Sequence, residues 1–258
     1  MKTKRYKIAV LGAGSWGITL GNVLYSNGHR ITLWEFDTAQ AEKLKKSRQF
    51  VSLKGYRIPG DIKITPDMSE AVKDADYIVV SVPSSAIGAV AARLGKLRPL
   101  KSPTIISTVK GFERNTLTRP TEVLRKNLGK REHIVALSGP SHAEEVVNNA
   151  PTVIVAASVN EGAAKDVQEL FSNVYFRVYT SSDIKGVELG GALKNVVAIA
   201  SGVASGLKMG DNTKAALITR GAAEMIRLGL KMGAKKSTFN GLSGIGDLIV
   251  TCFSEHSR

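Results

Sequence analysis

The chain has 258 residues, of which 43% are hydrophobic, and this length predicts one large domain or two smaller ones. Its single cysteine, Cys252, excludes a disulfide framework and a thiolate metal cluster, and favours the reducing cytoplasm. The formal net charge of +14 comes from scattered basic residues without interleaved aromatics, which favours a small phosphorylated ligand over nucleic acid.

Apolar runs alternate with helix-like segments over the first 180 residues. The runs that predict strands are YKIAVLGAG, RITLWE, DYIVVSVP, TIISTVKG, HIVALSGP, TVIVAAS and YFRVYT. Helices are predicted between them, over residues 15–27, from 38 to about 48, in SSAIGAVAARL, around 119–128, from SHAEEVV and in EGAAKDVQELF. This alternation predicts parallel βαβ units in an open α/β sheet of the doubly wound, Rossmann-like kind.

The pattern changes after Thr180. From Asp183 onward the sequence shows helical segments and glycine turns without a comparable strand, and the SSD triplet is typical of a helix N-cap. We therefore predict a dinucleotide-binding domain in residues 1–181 and a helical domain in residues 182–258. No apolar run reaches the roughly 18 uninterrupted residues of a membrane span, so membrane insertion is not expected.

A GxGxxG motif directly follows the first predicted strand and opens the first predicted helix. Gly12 permits a tight turn, Gly14 lets the backbone approach a pyrophosphate, and Gly17 allows close packing of helix and strand. The helix N-terminus adds free N–H groups and the positive end of its dipole. The motif predicts a dinucleotide site, although a glycine turn without a ligand is the alternative.

Glu35 ends the second predicted strand, 18 residues after Gly17. A carboxylate there hydrogen-bonds the adenosine ribose and repels a 2′-phosphate, which favours NAD(H) over NADP(H). Nearby basic residues at 43–48 would soften that discrimination, and a solvated carboxylate at a strand end is the alternative interpretation.

Two further strand ends are expected to face the same crevice, because ligands of open α/β sheets bind at the carboxyl ends of strands. Lys110 ends the STVKGF segment, and SGPS ends another strand, with Ser141 as an N-cap or a ligand hydroxyl. Glycine and proline in SGPS could also be simple turn residues.

The segment VELGGALKNVVAIASG, residues 187–202, predicts a helix that is apolar on nearly every side and carries Lys194 in its middle. We expect this helix to be buried on most sides. A buried ammonium needs an anion or loses its proton, and burial lowers a lysine pKa toward the range of a general acid or base. Lys194 is therefore the first candidate for the chemistry.

Asp247 lies in the glycine-rich segment GLSGIGDLIVTC, near the start of another predicted helix. It could be an N-cap or an acid in the first turn of that helix. It could equally orient the ammonium of Lys194 or accept a substrate hydroxyl. The sequence leaves these interpretations open.

Together the motifs GAGSWG, TVKG, SGPS, ELGGALKNVVAIASG, GDNTKAALITRG and GLSGIGDLIVTC closely resemble, in order and spacing, the bacterial-type NAD(P)-dependent glycerol-3-phosphate dehydrogenase family. The resemblance covers essentially the whole chain. It implies a Rossmann-like domain followed by an all-helical, 6-phosphogluconate-dehydrogenase-like domain. It also implies reversible hydride transfer between NAD(H), or NADP(H), and dihydroxyacetone phosphate, giving sn-glycerol 3-phosphate for phospholipid synthesis in the cytoplasm.

The resemblance further implies roles for individual residues. Lys194 matches the family's proton donor and acceptor. Substrate positions are matched by Lys110, Gly139, Ser141, Asp247, Ser257 and Arg258, with Asn195 and Thr251 as supporting polar residues. Cofactor positions are matched by Ser15, Trp16, Phe36 and Ala143, and the resemblance places Lys110 and Arg258 near the cofactor as well.

Two departures from the family pattern affect the predictions. The family normally continues beyond Ser257 and Arg258, beginning with an asparagine that helps hold the phosphate, so the helical domain is predicted to be incomplete and to expose apolar surface. The pair Glu35 and Phe36 replaces the basic or small residues of many NADP-using members, which supports NAD(H).

Other functions remain open at this point. A β-hydroxyacid-type dehydrogenase of similar build would act on a different small substrate. A catalytically impaired dinucleotide-binding fragment would bind NADH without turnover. The sequence does not determine the oligomeric state, for which a homodimer is one candidate, and it suggests no metal site.

Overall fold

A single eight-stranded sheet organises most of the computed structural model, which describes residues 4–97, 102–129 and 133–254. The strands in chain order are β1 (Lys7–Leu11), β2 (Arg30–Trp34), β3 (Lys63–Thr65), β4 (Tyr77–Val80), β5 (Thr104–Ser107), β6 (Ile134–Ser138), β7 (Thr152–Ala157) and β8 (Phe176–Ser181). Their spatial order is β3-β2-β1-β4-β5-β6-β7-β8. The order reverses between β1 and β4, which creates the switch point where such sheets bind ligands.

Helices connect the strands and then continue without further strands in the described residues. The helices in chain order are α1 (Ser15–Ser26), α2 (Thr38–Ser47), α3 (Met68–Val72), α4 (Ile87–Leu97), α5 (Pro120–Leu128), α6 (Ala143–Val146), α7 (Glu161–Phe171), α8 (Ile184–Gly206), α9 (Asp211–Lys231), α10 (Lys236–Phe239) and α11 (Asp247–Phe253). A 3-10 turn (Ser84–Ala86) precedes α4 and a π-helical turn (Leu242–Gly246) precedes α11.

The sheet is buried on both faces, as its continuous apolar strands predict. Alternate residues of β1 join different apolar clusters: Ile8 and Val10 belong to one, and Ala9 and Leu11 belong to the other. Every residue of β4 is buried. The predicted α/β, Rossmann-like fold class is therefore confirmed.

The predicted topology was wrong at two places. The short strand β3 was not predicted, because a three-residue strand carries too little pattern to distinguish it from a loop. Strands β6 and β7 are antiparallel, whereas the alternation of strands and helices predicts parallel strands throughout. The connection between them contains only the four-residue α6, which is about 6 Å long and too short to return the chain along the sheet.

The helical region begins where it was predicted. Asp183 caps α8, accepting a bond from Gly186 N at 3.0 Å, and its other oxygen accepts bonds from Lys235 N and Thr238 Oγ1. One carboxylate therefore ties the start of α8 to the start of α10. The division into domains at residues 181 and 182 stays a prediction.

The expectation that α8 is buried on most sides holds only for its first half. Val187 and Leu189 are fully buried, but Val196 and Ile199 are 70% and 66% exposed. Val203 and Leu207 continue this exposed apolar stripe at helical spacing. The difference arises because α9 and α11 pack on other sides of α8 and leave this stripe exposed.

By length and composition alone, α8 could cross a membrane. In the structure it is a packed helix of a globular fold, because it carries two charged residues, Glu188 and Lys194, that are each 6% exposed. Both are bonded to residues outside α8. A helix with these two buried charges belongs in a protein interior rather than in lipid.

Candidate active site

A cavity of about 480 Å³ opens at the carboxyl ends of β1, β4 and β5, against α8 and α11. Ten of the predicted site residues line it: Gly14, Ser15, Trp16, Gly17, Lys110, Ser141, Ala143, Lys194, Asn195 and Thr251. Residues separated by up to 237 positions in the sequence thus meet in one place, from Gly14 to Thr251. Of the other predicted site residues, Gly12, Gly139, Asp247, Glu35 and Phe36 do not line it, and Ser257 and Arg258 lie outside the described residues.

The glycine turn at the start of α1 fits a dinucleotide phosphate. Gly12 has φ +107°, and a Cβ there would overlap the Ser81 carbonyl oxygen, while a Cβ at Gly17 would overlap the Gly12 carbonyl oxygen. Gly14 differs, because no atom lies within 4 Å of the place its Cβ would take. The turn is therefore closed toward the protein and open toward the cavity.

The first N–H groups of α1 lie beside the glycine turn and extend its anion-binding surface. Gly14 is the N-cap residue of α1, and no side chain caps the helix. The N–H groups of the first turn and the positive end of the helix dipole are therefore available to an anion. The residues present fit the pyrophosphate of NAD(H) or NADP(H), in agreement with the GxGxxG prediction.

Glu35 and Phe36 extend the same edge of the sheet. Glu35 follows β2, and its Oε1 accepts a bond from Asp37 N at 3.1 Å. The Phe36 ring is 75% exposed and lies 6.5 Å from the Trp34 ring, centroid to centroid. A carboxylate and an exposed aromatic ring beside the glycine turn suit a ribose and an adenine, but their roles stay predictions.

Lys194 is buried against two polar partners from α11. Its Nζ donates to Asp247 Oδ1 at 2.5 Å and to Thr251 Oγ1 at 2.6 Å. Thr251 Oγ1 in turn donates to the Asp247 carbonyl at 2.6 Å, which fixes its lone pairs toward the lysine. The prediction that Lys194 is a buried lysine with a polar partner agrees with this geometry.

Asp247 holds a second lysine with its other oxygen. Lys110 Nζ donates to Asp247 Oδ2 at 2.7 Å and to the Gly139 carbonyl at 3.1 Å. Asp247 is 1% exposed and lies in the first turn of α11, as one of its interpretations predicts. The interpretation of Asp247 as an N-cap is wrong, because Gly246 occupies that position, whereas its role in orienting Lys194 has direct geometric support.

Ser141 also differs from one of its two predicted roles. His142 is the N-cap residue of α6, and Ser141 Oγ donates to the Gly139 carbonyl at 3.0 Å. Ser141 therefore does not cap α6, because its hydroxyl turns back on the SGPS turn instead. This bond also brings the hydroxyl to the carbonyl that Lys110 binds.

The electrostatics of the site act mainly on Lys194. Burial lowers its pKa from 10.5 to about 8, and the positive charge of Lys110 acts in the same direction. The Asp247 carboxylate opposes both effects, because it stabilises the ammonium. Lys194 can therefore change protonation state near neutral pH, as proton transfer requires.

Sequence reasoning missed several residues of the cavity. These are Ser81, Val82, Thr108, Val109, His142 and Glu144. Ser81 and Val82 directly follow β4, and Thr108 and Val109 follow β5, so the rule that ligands meet strand ends could have found them. Among the described residues, no group of three or more His, Cys, Asp or Glu side chains is arranged to hold a metal ion.

Two family models match the chain. The model described as "NAD-dependent glycerol-3-phosphate dehydrogenase N-terminus" matches residues 7–164, and the one described as "NAD-dependent glycerol-3-phosphate dehydrogenase C-terminus" matches residues 183–258. Together they cover most of the chain, including the glycine turn and the helix that carries Lys194.

Individual proteins give the same result. The chain is 49% identical over 254 residues to a glycerol-3-phosphate dehydrogenase [NAD(P)+] of Fusobacterium nucleatum, covering 98% of this chain and 76% of that protein. It is 49% identical over 253 residues to the enzyme of the same name from Oceanobacillus iheyensis, covering 98% and 73%.

A solved structure extends the similarity to three dimensions. The crystal structure of glycerol-3-phosphate dehydrogenase from Coxiella burnetii matches with a TM-score of 0.94 at 38% identity, covering 98% of this chain and 78% of that one. The predicted resemblance and the predicted cofactor class are thus confirmed. The chain belongs to the NAD-dependent glycerol-3-phosphate dehydrogenase family, whose members are oxidoreductases.

Proposed function

We propose that this chain reversibly reduces dihydroxyacetone phosphate to sn-glycerol 3-phosphate, with Lys194 as the proton donor and acceptor. The observation that carries the proposal is the buried Lys194 ammonium at the wall of a cavity that also contains an open glycine turn. The nicotinamide cofactor, when bound, supplies the hydride. The residues of the chain supply binding, orientation and the proton.

Lys194 is suited to the proton transfer. Reduction of the C2 ketone leaves negative charge on its oxygen, which an adjacent ammonium stabilises before donating its proton. In the oxidation direction the neutral amine accepts the proton from the C2 hydroxyl. A pKa of about 8 allows both states near physiological pH.

The residues around Lys194 are suited to a phosphorylated substrate. Two ammonium groups, of Lys110 and Lys194, flank one carboxylate, so the cluster carries one excess positive charge. We propose that Lys110, Gly139, Ser141, Asn195, Asp247 and Thr251, together with Ser257 and Arg258, hold the substrate. Charge-assisted bonds from lysine and arginine suit its phosphate group.

Cofactor binding is assigned to the glycine turn and to the residues beside it. The proposed cofactor residues are Gly12, Gly14, Ser15, Trp16, Gly17, Glu35, Phe36, Lys110, Ala143 and Arg258. Because Glu35 would repel a 2′-phosphate, NAD(H) is the preferred cofactor and NADP(H) the poorer one. The kcat/KM ratio for NADH and NADPH tests this preference, and a higher value with NADPH contradicts it.

The cellular role follows from the product. We propose that sn-glycerol 3-phosphate from this chain enters glycerophospholipid synthesis in the cytoplasm, and that the protein works as a homodimer. Complementation of a glycerol-requiring bacterial strain tests the first point. Sedimentation equilibrium of the purified protein tests the second, and a monomer at micromolar concentration contradicts it.

The central experiment measures NADH oxidation with dihydroxyacetone phosphate by this chain and by its Lys194→Ala variant. We expect turnover by the wild type and a loss of at least about a hundredfold in the variant. Lys185→Ala, which removes an exposed lysine from the same helix, is the matched control and should keep full activity.

Three outcomes distinguish the alternatives. Turnover of small hydroxyacid carboxylates instead of the phosphorylated ketone indicates a dehydrogenase of similar build with a different substrate. Binding of NADH without turnover, indifferent to Lys194→Ala, indicates a non-catalytic dinucleotide-binding fragment. Full activity of the Lys194→Ala variant contradicts the proposed mechanism.

A further inference from the structure

A second buried ionic cluster lies on α8, six residues before Lys194. The Glu188 side chain is 4% exposed, and Arg119 Nη1 donates to its Oε2 at 2.5 Å. Thr121 donates twice, from its backbone N to Oε1 at 2.8 Å and from Oγ1 to Oε2 at 2.7 Å. All three donors come from the start of α5.

Glu188 thereby caps a helix to which it does not belong. Helix α5 begins at Pro120, and its own N-cap residue, Arg119, makes no side-chain capping bond. The Thr121 N–H is one of the first N–H groups of α5, which have no partner within the helix. The Glu188 carboxylate satisfies it and places negative charge at the positive end of the helix dipole.

This contact is costly to break, because its charged and polar groups are buried. Burial raises the pKa of Glu188, and the Arg119 guanidinium and the Thr121 donors act in the opposite direction by favouring the carboxylate. A buried carboxylate that loses its donors is strongly unfavourable. The start of α5 and the first half of α8 are therefore held to each other.

The segment from Lys110 to Thr121 contacts the helical region at both of its ends. At one end Lys110 binds Asp247, and at the other end Arg119 and Thr121 bind Glu188. Asp247 also binds Lys194, which shares α8 with Glu188. Contacts and helix α8 therefore connect Lys110, Asp247, Lys194 and Glu188 in series. The chain segment from Lys110 to Thr121 joins the two ends of this series.

We propose that Glu188 is a positioning residue, which sets the place of Lys194 relative to Lys110 by clamping α8 to the N-terminus of α5. The proposal rests on the proposed function of Lys194. Glu188 does not line the cavity and touches no reacting atom. Its effect reaches the site along α8, because Lys194 lies six helical positions, about 9 Å, further along the same helix.

Release of the clamp has two consequences at Lys194. The ammonium gains water and moves away from Lys110, while Asp247 stays bound to it because α11 packs on α8. Burial and Lys110 lower the Lys194 pKa and Asp247 raises it, so weakening the first two alone raises the pKa. The ammonium also leaves the orientation needed for proton transfer, and small misplacements of this kind reduce kcat strongly. Cofactor binding at α1 is unaffected, because the clamp does not contact that helix.

The test uses four variants of the full chain. Glu188→Gln keeps the shape of the side chain but removes its charge. It also replaces one accepting oxygen with an NH₂ group, which cannot accept the bonds that this oxygen receives. Thr121→Val removes one hydroxyl donor in a nearly isosteric way, and Thr121→Ser restores that hydroxyl. Glu122→Ala is the matched control, since Glu122 pairs with the same guanidinium but its side chain is 46% exposed.

We expect Glu188→Gln to lower kcat about tenfold and Thr121→Val to lower it about threefold, with the KM for NADH within about twofold of wild type. The pH midpoint of dihydroxyacetone phosphate reduction should rise by about half a unit or more in Glu188→Gln. Thr121→Ser and Glu122→Ala should keep the wild-type kcat and midpoint. If Glu188→Gln does not fold, the Thr121→Val and Thr121→Ser pair carries the test.

Two results overturn the proposal. One is a wild-type kcat and pH midpoint in folded Glu188→Gln and Thr121→Val. The other is a lower melting temperature with an unchanged midpoint, which shows a purely structural contact.

An NMR titration of the Lys194 side chain without substrate separates this inference from the proposed function. If the wild type shows no turnover, a raised Lys194 midpoint in Glu188→Gln still supports the clamp, and an unchanged one refutes it.

Discussion

Asp247 binds Lys194 with one carboxylate oxygen, at 2.5 Å, and leaves its other oxygen to Lys110, at 2.7 Å. One buried negative charge thus supports two ammonium groups, and the site keeps an excess positive charge. This arrangement explains how a lysine can stay charged inside the protein and still have a lowered pKa. Asp247 stabilises the Lys194 ammonium, whereas burial and Lys110 destabilise it more.

The pH dependence of the two reaction directions should reflect Lys194. Reduction needs the ammonium as the proton donor, so its rate should fall as the pH rises through about 8. Oxidation needs the neutral amine, so its rate should rise over the same range. Steady-state kcat in both directions between pH 6 and 10 measures this. The absence of a midpoint in this range, as expected for the ordinary lysine pKa of 10.5, contradicts the assignment.

Removing the charge of Asp247 should change both activity and stability. Asp247→Asn leaves two ammonium groups without their shared anion, so the Lys194 pKa should fall below about 8 and the midpoint of reduction should move to lower pH. The loss of a buried ionic partner should lower the free energy of unfolding by about 3 kcal/mol. pH-rate profiles and urea unfolding measure the two effects.

The control for that variant is Asp211→Asn. Asp211 is also the first residue of a helix, but it is exposed. It should leave both the midpoint and the urea transition close to those of the wild type. If Asp247→Asn keeps the wild-type midpoint, Asp247 does not control the proton affinity of Lys194.

Two substitutions in the glycine turn should distinguish an effect on cofactor binding from an effect on folding. A methyl group at Gly14 meets no atom within 4 Å but would occupy the space proposed for the pyrophosphate. Gly14→Ala should therefore weaken NADH binding about tenfold or more without lowering the melting temperature. Gly12→Ala should instead destabilise the fold, because Gly12 has φ +107° and its Cβ would meet Ser81. Fluorescence titration with NADH and thermal unfolding distinguish the two.

The control for Gly14→Ala is Gly60→Ala, another position with open space, which does not line the cavity. It should change neither NADH affinity nor stability by much. Equal NADH affinity in Gly14→Ala and the wild type means that the cofactor does not approach this turn.

Most of the fold could be predicted because its signals are local. A buried parallel strand needs an apolar run, and the turn at Gly12 needs glycine, so both leave a mark in the sequence. Strand β3 and the antiparallel pairing of β6 with β7 leave no such mark. They depend on which strand edge remains free and on how short α6 turns out to be.

The site was only partly predictable for the same reason. The apolar surroundings of Lys194 suggested its burial, but no pattern shows that one carboxylate, 53 residues later, would also hold Lys110. Glu188 has no local sequence pattern that indicates a binding partner. Its role as the cap of α5 depends on a contact across 67 residues, which the fold alone creates.

The choice of cofactor should depend on Glu35. Its Oε1 accepts a bond from Asp37 N beside the glycine turn, so the carboxylate is held at the end of β2. Because a carboxylate there repels a 2′-phosphate, Glu35→Ser should raise kcat/KM for NADPH about tenfold and lower it for NADH. Glu42→Ala, which removes an exposed carboxylate paired with Lys45 on α2, is the control and should keep the wild-type ratio. Initial rates with both cofactors at fixed dihydroxyacetone phosphate give the ratio. If Glu35→Ser and Glu42→Ala have the same NADH to NADPH ratio, the discrimination arises elsewhere.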